Sequence, residues 1–360
     1  MNVAFIIRAN AQTSFGGDWV QLVSTAKYLR RMDVNIEIKS AGESIDYERY
    51  ELLHFFNLIR PDDILKHLRK TSKPFVVSSI YVDYAEHNRK SASKMVAFLG
   101  RLIHPDKIEF IKRLARTLRN GEEWPTLEYL LRGHSGSIDK ILKSCAGILP
   151  NSFSEYQRLI RDYEKPQQVE VVPNGIDTEM FQLETLPVRK ANKIVCVGRI
   201  EPRKNQLNLI RALNNSPFEL YVVGTASENQ AGYLKQCKQE AAANIYFTGP
   251  MDQPELAQFY ATCKVHVLPS WFETTGLSSL EAGYLGCNVV ITDKGDAREY
   301  FEDLAFYCDP SDPESIRNAV EHAAKAKVNP ALQQKISKEF TWEQAASCTF
   351  NMYQRVLTAS

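Results

Sequence analysis

A chain of 360 residues provides enough material for about two domains of typical size. Hydrophobic residues make up 44% of it and charged residues 24%, the composition of an ordinary globular protein with buried cores. The 44 Lys and Arg residues nearly balance the 43 Asp and Glu residues, for a net charge of +1. This balance excludes a globally basic nucleic-acid binder and an acidic disordered tail, so we expect no nucleic-acid partner.

No uninterrupted apolar run approaches the roughly 18 residues that a membrane-spanning helix needs. The opening segment Met1–Arg8 becomes polar too quickly for a secretory signal and predicts a first strand instead. Seven cysteines are scattered through core-like segments without a C-x-x-C or C-x-H pair, so neither a disulfide framework nor a zinc site is favoured. We therefore expect a cytoplasmic protein.

Short β-branched runs alternate with longer helical stretches along the chain. The strand candidates of the first half are Val3–Ile7, Val34–Ile38, Leu52–Asn57, Phe75–Ile80 and Gly147–Pro150, and those of the second half are Ile194–Gly198, Glu219–Gly224, Ile245–Gly249, Val265–Pro269, Val289–Thr292 and Ala305–Tyr307. Near-continuous apolar strands separated by helices favour parallel sheets that are covered on both faces. Two such series predict an α/β protein of two doubly wound domains, with ligands bound in a cleft between them.

A break separates the two series. It contains V-V-P-N-G-I-D at 171–177, where Pro, Asn and Gly force a turn directly after a strand. The pattern predicts a first domain over residues 1–170, a linker over 171–190 and a second domain over 191–341.

The first candidate motif is the pair Gly16-Gly17, between the first strand and a helix that runs to about Met32. Two glycines allow the backbone to approach a ligand, and the start of the helix offers N–H groups that favour an anion. The alternative is a tight turn with Asp18 as the helix N-cap. The pattern does not separate the two interpretations.

The second motif places Arg199 and Lys204 directly after a strand. A guanidinium makes planar bidentate contacts to phosphate and an ammonium supplies a compact charge, so together they suit a diphosphate. The alternative is a solvated basic loop.

The third motif, the segment Pro269–Ala282, carries Glu273 on a loop and Glu281 about one turn into a helix. The backbone amides at the predicted helix start belong to Thr275, Gly276 and Leu277. Such amides form a ready anion site, and the Glu281 carboxylate can accept hydrogen bonds from vicinal hydroxyls such as those of a ribose. The alternative is two ordinary acids near a helix start, where acids are favoured.

Glu273 and Glu281 form the E-x7-E motif of retaining nucleotide-sugar glycosyltransferases. With V-G-R at 197–199, Lys204, P-N-G-I-D at 173–177 and G-G at 16–17, the chain resembles glycosyltransferase family 4. The resemblance covers essentially the whole chain. It implies the GT-B fold, in which two Rossmann-like domains face a cleft, the donor nucleotide binds the second domain and the acceptor lies against the first. It also implies that a final helix, here within residues 342–360, crosses back to the first domain.

The resemblance further implies roles for single residues. Arg199 and Lys204 match the diphosphate-binding pair, and Glu281 matches the carboxylate that binds the ribose. Glu273 matches the acid near the reacting face of the sugar. The β-phosphate cradle corresponds to Thr275, Gly276 and Leu277, and the glycine loop that approaches donor and acceptor corresponds to Gly16 and Gly17.

Two departures from the family concern the acceptor and the phosphate loop. Tyr81 stands where a histidine is expected, and Asp83 is placed to hold an acceptor hydroxyl. Thr275 replaces an aromatic residue. His134 lies in a segment rich in Gly and Ser, where acceptor binding and a surface-loop histidine are both open.

Basic residues cluster between Arg89 and Arg119, with apolar residues at helical spacing among them. A basic amphipathic helix of this kind can lie on an anionic membrane surface, or it can pack on its own domain with its charges in solvent. The sequence leaves both open.

We therefore expect a retaining glycosyltransferase that moves a hexose, by default glucose, from a UDP-sugar to a growing polysaccharide or a lipid-linked acceptor. We expect no metal cofactor, because no D-x-D triad follows a strand in a suitable place and Arg199 and Lys204 can neutralise the phosphates. The alternatives are a nucleotide-sugar epimerase of the same fold and a non-catalytic nucleotide-sugar-binding protein.

Overall fold

The computed structural model describes residues 1–8, 11, 16–82, 109–111, 113–114, 117, 123–183 and 187–359. The chain forms two compact units, Met1–Pro173 with Trp342–Ser360, and Asn174–Thr341. The segment predicted as a linker, 171–190, is thus divided between them: its residues up to Pro173 belong to the first unit and those from Asn174 onward to the second.

The first unit contains a five-stranded parallel sheet in the order β2-β1-β3-β4-β5. Its strands are β1 (Asn2–Ile7), β2 (Asn35–Ser40), β3 (Leu52–Phe56), β4 (Phe75–Ser78) and β5 (Gly147–Ile148). Its described helices are α1 (Gly17–Arg30), α2 (Pro61–Leu68), α3 (Leu127–Ser144), α4 (Phe153–Asp162) and the last helix of the chain, α12 (Trp342–Thr358).

Helix α12 belongs to the first unit although it follows the whole of the second unit in sequence. Its Tyr353 is fully buried, and the Tyr353 hydroxyl lies 2.6 Å from Nδ1 of His54 on β3. The predicted return of the final helix is therefore confirmed.

The second unit contains a six-stranded parallel sheet in the order β11-β10-β9-β6-β7-β8. Its strands are β6 (Lys190–Val197), β7 (Glu219–Val223), β8 (Ile245–Gly249), β9 (Cys263–Leu268), β10 (Asn288–Thr292) and β11 (Phe306–Cys308). The strand order reverses between β6 and β9, and ligands of open α/β sheets bind where the order reverses, at the carboxyl ends of the strands.

The described helices of the second unit cover both faces of this sheet. They are α5 (Gln206–Leu213), α6 (Ala231–Glu240), α7 (Gln253–Thr262), α8 (Leu277–Tyr284), α9 (Ala297–Phe301), α10 (Pro313–Lys325) and α11 (Pro330–Glu339). Successive strand residues enter different cores: Ile194 packs in one buried cluster and Val195 in the other. This alternation is the pattern of a sheet buried on both faces, and it confirms the predicted doubly wound α/β fold class.

All eleven predicted strands are present. The largest difference is at β6, which begins at Lys190 rather than Ile194 and pairs with β9 across a register shift between those two residues. The first three residues of β6 are polar or small and exposed, so no apolar run marks this end of the strand. In the part of the chain that the structure describes, every helix is too short or too polar to cross a bilayer.

Candidate functional site

A buried ion pair lies at the point where the strand order of the second unit reverses. Lys204 follows β6, Glu273 follows β9, and the Lys204 Nζ atom lies 2.6 Å from Glu273 Oε1. Their side chains are only 14% and 5% exposed. The fold therefore brings together two residues that are 69 positions apart in sequence, each of which was predicted as a site residue from its own motif.

The electrostatic surroundings of Glu273 favour its ionised form. Burial by itself would raise the pKa of this carboxyl, but the Lys204 ammonium and the Arg203 guanidinium outweigh burial and lower the pKa below its ordinary value. The Arg203 carbonyl also accepts a hydrogen bond of 3.0 Å from the Trp271 amide, which joins the two loops. Glu273 is therefore ionised at neutral pH.

Arg199 lies nearby in sequence but is much more accessible. Its guanidinium is 51% exposed and is 3.5 Å from the Glu201 carboxylate. Its carbonyl accepts a hydrogen bond of 2.9 Å from the buried side chain of Gln206. The backbone of Arg199 is thus held in place, while its side chain can reorient toward a ligand.

Asn205 holds the Lys204 loop and was not singled out from the sequence. It adopts a left-handed conformation with φ of 59°, and its side-chain amide donates to the carbonyls of Pro269 at 3.0 Å and Pro310 at 2.7 Å. The sequence signal that could have indicated this role is the Asn itself, because Asn tolerates the αL conformation better than most residues do.

Helix α8 begins after Gly276, as predicted. Gly276 is the N-cap with a left-handed φ of 73°, and it provides no side-chain hydrogen bond to the helix. Within the described residues, the Ser279 hydroxyl in the first turn is fully buried and has no hydrogen-bond partner. The Thr275–Leu277 backbone therefore leads into a helix start that lacks a side-chain cap and suits an anion.

Thr275 is held by two neighbours from distant parts of the second unit. Its Oγ1 accepts from the Asn174 side-chain amide at 3.0 Å and donates to the Tyr300 hydroxyl at 3.3 Å. All three side chains are buried. This hydrogen-bonded cluster occupies the position where the resembling family carries an aromatic ring.

Glu281 is the fifth residue of α8, one turn beyond its start, as predicted. The Tyr260 hydroxyl on α7 donates to Glu281 Oε2 at 3.2 Å. Burial raises the pKa of Glu281 to about 7, and the hydrogen bond from Tyr260 partly opposes this shift. Tyr260 is a second residue that the motif analysis missed, because its hydroxyl reaches the site from a helix with no motif of its own.

In the first unit, Gly17 is the first residue of α1 and Gly16 is its N-cap. The alternative that Asp18 caps this helix is wrong. Asp18 lies inside the helix, and its carboxylate pairs with Arg8 at the end of β1 at 2.6 Å. The Asp18 carboxylate also accepts a hydrogen bond of 3.0 Å from the Trp19 amide in the first turn, so it binds both Arg8 and the helix start without being the N-cap residue.

Tyr81 lies just beyond β4. Its hydroxyl donates to Asp162 at 3.1 Å, and its amide donates to the buried Glu155 at 2.8 Å. The preceding residue, Ile80, has a φ of 45°, which is uncommon for a β-branched side chain. Asp83, the other proposed acceptor residue after β4, lies outside the described residues.

Two expectations for the first unit require correction. His134 is not in a surface loop: it is buried within α3, and its Nδ1 atom lies 3.3 Å from the Tyr129 hydroxyl. The segment resembled a loop because Gly133 interrupts the helix with a φ of 71°. Arg113, counted in the basic cluster, is buried and pairs with Asp62 at 2.8 Å. All the other basic residues of the cluster lie outside the described residues.

Comparison with known proteins identifies the second unit. Residues 177–340 match the family model of glycosyl transferases group 1. The chain is 25% identical over 252 residues to a D-inositol 3-phosphate glycosyltransferase of Nocardioides sp., covering 60% of this chain and 55% of the relative. It is 25% identical over 199 residues to a glycogen synthase of Mycobacterium tuberculosis, covering 52% and 48%. The chain thus spans about half the length of the curated relatives it matches.

Two solved structures match the fold over nearly the whole chain. The sucrose-phosphate synthase of Thermosynechococcus elongatus aligns with a TM-score of 0.76 at 16% identity and covers 100% of both chains. HepE of Anabaena, solved with UDP and glucose, aligns with a TM-score of 0.71 at 14% identity and covers 98% of this chain and 99% of its own. These likenesses confirm the predicted GT-B fold. With the match at 177–340, the predicted resemblance to glycosyltransferases is confirmed.

Proposed function

We propose that the protein is a retaining glycosyltransferase that moves a hexose, by default glucose, from a UDP-sugar to a growing polysaccharide or a lipid-linked acceptor. The observation that carries this proposal is the placement of the buried Lys204–Glu273 pair and Glu281 in one unit, at the point where the strand order reverses. Cations and a helix start suit the diphosphate, and the two carboxylates suit hydroxyl groups.

The diphosphate is the leaving group and gains most of the developing charge. Arg199, Lys204 and the start of α8 supply positive potential where that charge appears. These groups do the work that a metal ion does in other transferases, so we propose that the reaction needs no metal.

The sugar lies toward Glu273. This ionised carboxylate can accept hydrogen bonds from sugar hydroxyls while Lys204 holds its other side. With retention, the acceptor hydroxyl attacks the anomeric carbon from the face that the phosphate leaves. The new C–O bond forms as the bond to the phosphate oxygen breaks, the electron pair goes to that oxygen, and the oxygen takes the proton of the acceptor. No enzyme nucleophile is required.

The choice of UDP rests on the fold neighbours, since HepE was solved with UDP and with UDP-glucose. The choice of a carbohydrate acceptor rests on relatives such as a glycogen synthase and an O-antigen chain mannosyltransferase. A lipid-linked acceptor would be reached at a membrane surface, and we propose a peripheral contact there. Leu127 and Leu131 support it, because both are exposed and lie four residues apart at the start of α3.

Incubation with a panel of radiolabelled nucleotide sugars tests the proposal, with and without an added polysaccharide or lipid-linked acceptor. We expect transfer, or slow hydrolysis without acceptor, from a UDP-hexose, unchanged by EDTA and abolished in Glu273→Gln. Interconversion at the sugar C2 would instead identify an epimerase. Binding without turnover would identify a non-catalytic nucleotide-sugar-binding protein. Loss of transfer in EDTA that Mg²⁺ restores would overturn metal independence.

A further inference from the structure

Tyr260 lies behind the proposed ribose site and is fixed on several sides. The side chain is fully buried on α7, and its ring meets the ring of His266 edge-on at 5.9 Å. Its carbonyl accepts a hydrogen bond of 3.2 Å from the Cys287 thiol, just beyond α8. Its hydroxyl is directed at Glu281 Oε2, 3.2 Å away. The hydroxyl is thus held at one place relative to α8.

A glutamate side chain has three rotatable bonds, so a carboxylate on a short helix samples several positions unless something anchors it. Among the described residues, Tyr260 is the one side chain that donates a hydrogen bond to the Glu281 carboxylate. A carboxylate has about four acceptor positions, and one hydroxyl leaves the rest available.

We propose that Tyr260 is a positioning residue that holds the Glu281 carboxylate ready for the vicinal hydroxyls of a ribose, so that the site selects ribonucleotides over deoxyribonucleotides. The inference rests on the proposed function of Glu281 as the ribose acceptor. It adds the residue that controls this selectivity, and it names the ribose 2′-hydroxyl as the group that the site recognises.

The chemistry of the pair supports this role in two ways. An anchored carboxylate loses less conformational freedom when a ribose binds, so the hydroxyl contacts gain affinity. The hydrogen bond from Tyr260 also favours the ionised carboxylate, against the burial that raises the pKa of Glu281 to about 7. The ionised form is the one that accepts hydrogen bonds at both oxygens.

Calorimetric titration of UDP and 2′-deoxy-UDP at pH 8 into the full chain tests the proposal, using Tyr260→Phe, Glu281→Gln and the control Tyr233→Phe. Tyr233 is a partly buried tyrosine of the same unit whose hydroxyl accepts from the Leu207 amide. We expect the wild type to prefer UDP by about 10-fold or more, because 2′-deoxy-UDP leaves an acceptor of Glu281 unpaired. We expect Tyr260→Phe to lose most of this preference by weakening UDP while changing 2′-deoxy-UDP affinity less than about 3-fold. Tyr233→Phe should keep the wild-type ratio.

A Tyr260→Phe variant that keeps the wild-type ratio, or that weakens both ligands equally, would show a purely structural tyrosine and overturn the inference. If Glu281→Gln keeps the ratio as well, the proposed function of Glu281 fails with it. If only Glu281→Gln collapses the ratio, the ribose site stands and the role of Tyr260 does not. Site-specific fluorotyrosine at position 260 keeps the fold and strengthens the donor, so we expect it to raise the ratio. An unchanged ratio would count against the inference.

Discussion

A Cβ atom on Gly295 would collide with the carbonyl oxygen of Glu273. The turn after β10 approaches the Glu273 backbone this closely because the Glu273 amide donates to the Lys294 carbonyl at 3.2 Å and the Asp296 amide donates to the Glu273 carbonyl at 2.8 Å. Gly295 itself has a left-handed φ of 88°. The loop that carries the buried carboxylate is therefore clamped by a turn more than twenty positions later in the chain.

Gly295→Ala should displace this clamp, since alanine meets both the close contact and an unfavourable φ. We expect a loss of at least about 2 kcal/mol in the free energy of unfolding and a fall in transfer of more than 10-fold. Gly232→Ala is the control, because a Cβ there meets nothing within 4 Å. Denaturation and initial rates measure both effects. A Gly295→Ala protein with wild-type activity would show that the clamp does not position Glu273.

Lys204→Ala and Arg199→Ala should lower kcat alike but differ in stability. Both remove a charge that stabilises the leaving diphosphate, so we expect losses on the order of 10²-fold in kcat with smaller effects on KM. Only Lys204→Ala leaves Glu273 buried without its partner, and we expect it to lower the free energy of unfolding by about 3 kcal/mol. Lys235→Ala on the exposed face of α6 is the control. Wild-type turnover of either variant at saturating donor would contradict the assignment.

The roles of the two carboxylates should separate in binding experiments. Glu281→Gln should weaken UDP and UDP-sugar equally, because the nucleotide carries the ribose in both. Glu273→Gln should leave UDP affinity nearly intact and abolish transfer, because in the proposed donor complex its carboxylate binds the sugar and not the nucleotide. Calorimetry and rate measurements on the same preparations decide this, and the opposite order of effects would exchange the two roles.

The sequence predicts the strands, and it predicts Lys204 and Glu273 as separate site residues because each follows an apolar strand and the carboxyl ends of parallel strands share one edge. The ion pair between them is seen only in the structure. Gly295 and Tyr260 could not be predicted in this way. Their roles depend on contacts between segments that are distant in sequence. Gly295 makes a close backbone contact with Glu273, and the Tyr260 hydroxyl reaches Glu281 from a neighbouring helix. The sequence predicts a loop at His134 because Gly and Ser are typical of turns, whereas the structure has Gly133 inside a helix.

Nucleotide binding should weaken as the pH falls through about 7, because burial raises the pKa of Glu281 to about 7 and protonation removes an acceptor for the ribose. Tyr260 is the titratable group in contact with this carboxyl among the described residues. The free energy of unfolding of the ligand-free protein changes with pH in the opposite direction. The folded state binds the proton more tightly than the unfolded state, so the contribution of Glu281 is present at acidic pH and is lost as the pH rises toward 7. Titrations of UDP from pH 5.5 to 8.5 should show the fall in UDP affinity near pH 7 in the wild type and no such fall in Glu281→Gln. A transition that persists in the variant would assign it to another group.

The membrane contact is tested by sedimentation with vesicles that contain anionic lipid. We expect the wild type to sediment at low salt and to be released near about 0.5 M salt, where surface charges are screened. Lys112→Ser, Arg116→Ser and Arg119→Ser together should abolish sedimentation, and Leu127→Ser with Leu131→Ser should weaken it by removing exposed apolar area.

Arg113 is left unchanged in these variants, because it forms a buried ion pair with Asp62 and its loss would impair folding rather than membrane binding. UDP affinity should survive all five changes, since none of them lies in the second unit. If the wild type stays in the supernatant at low salt, this segment does not bind membranes, and a water-soluble polysaccharide becomes the acceptor to test.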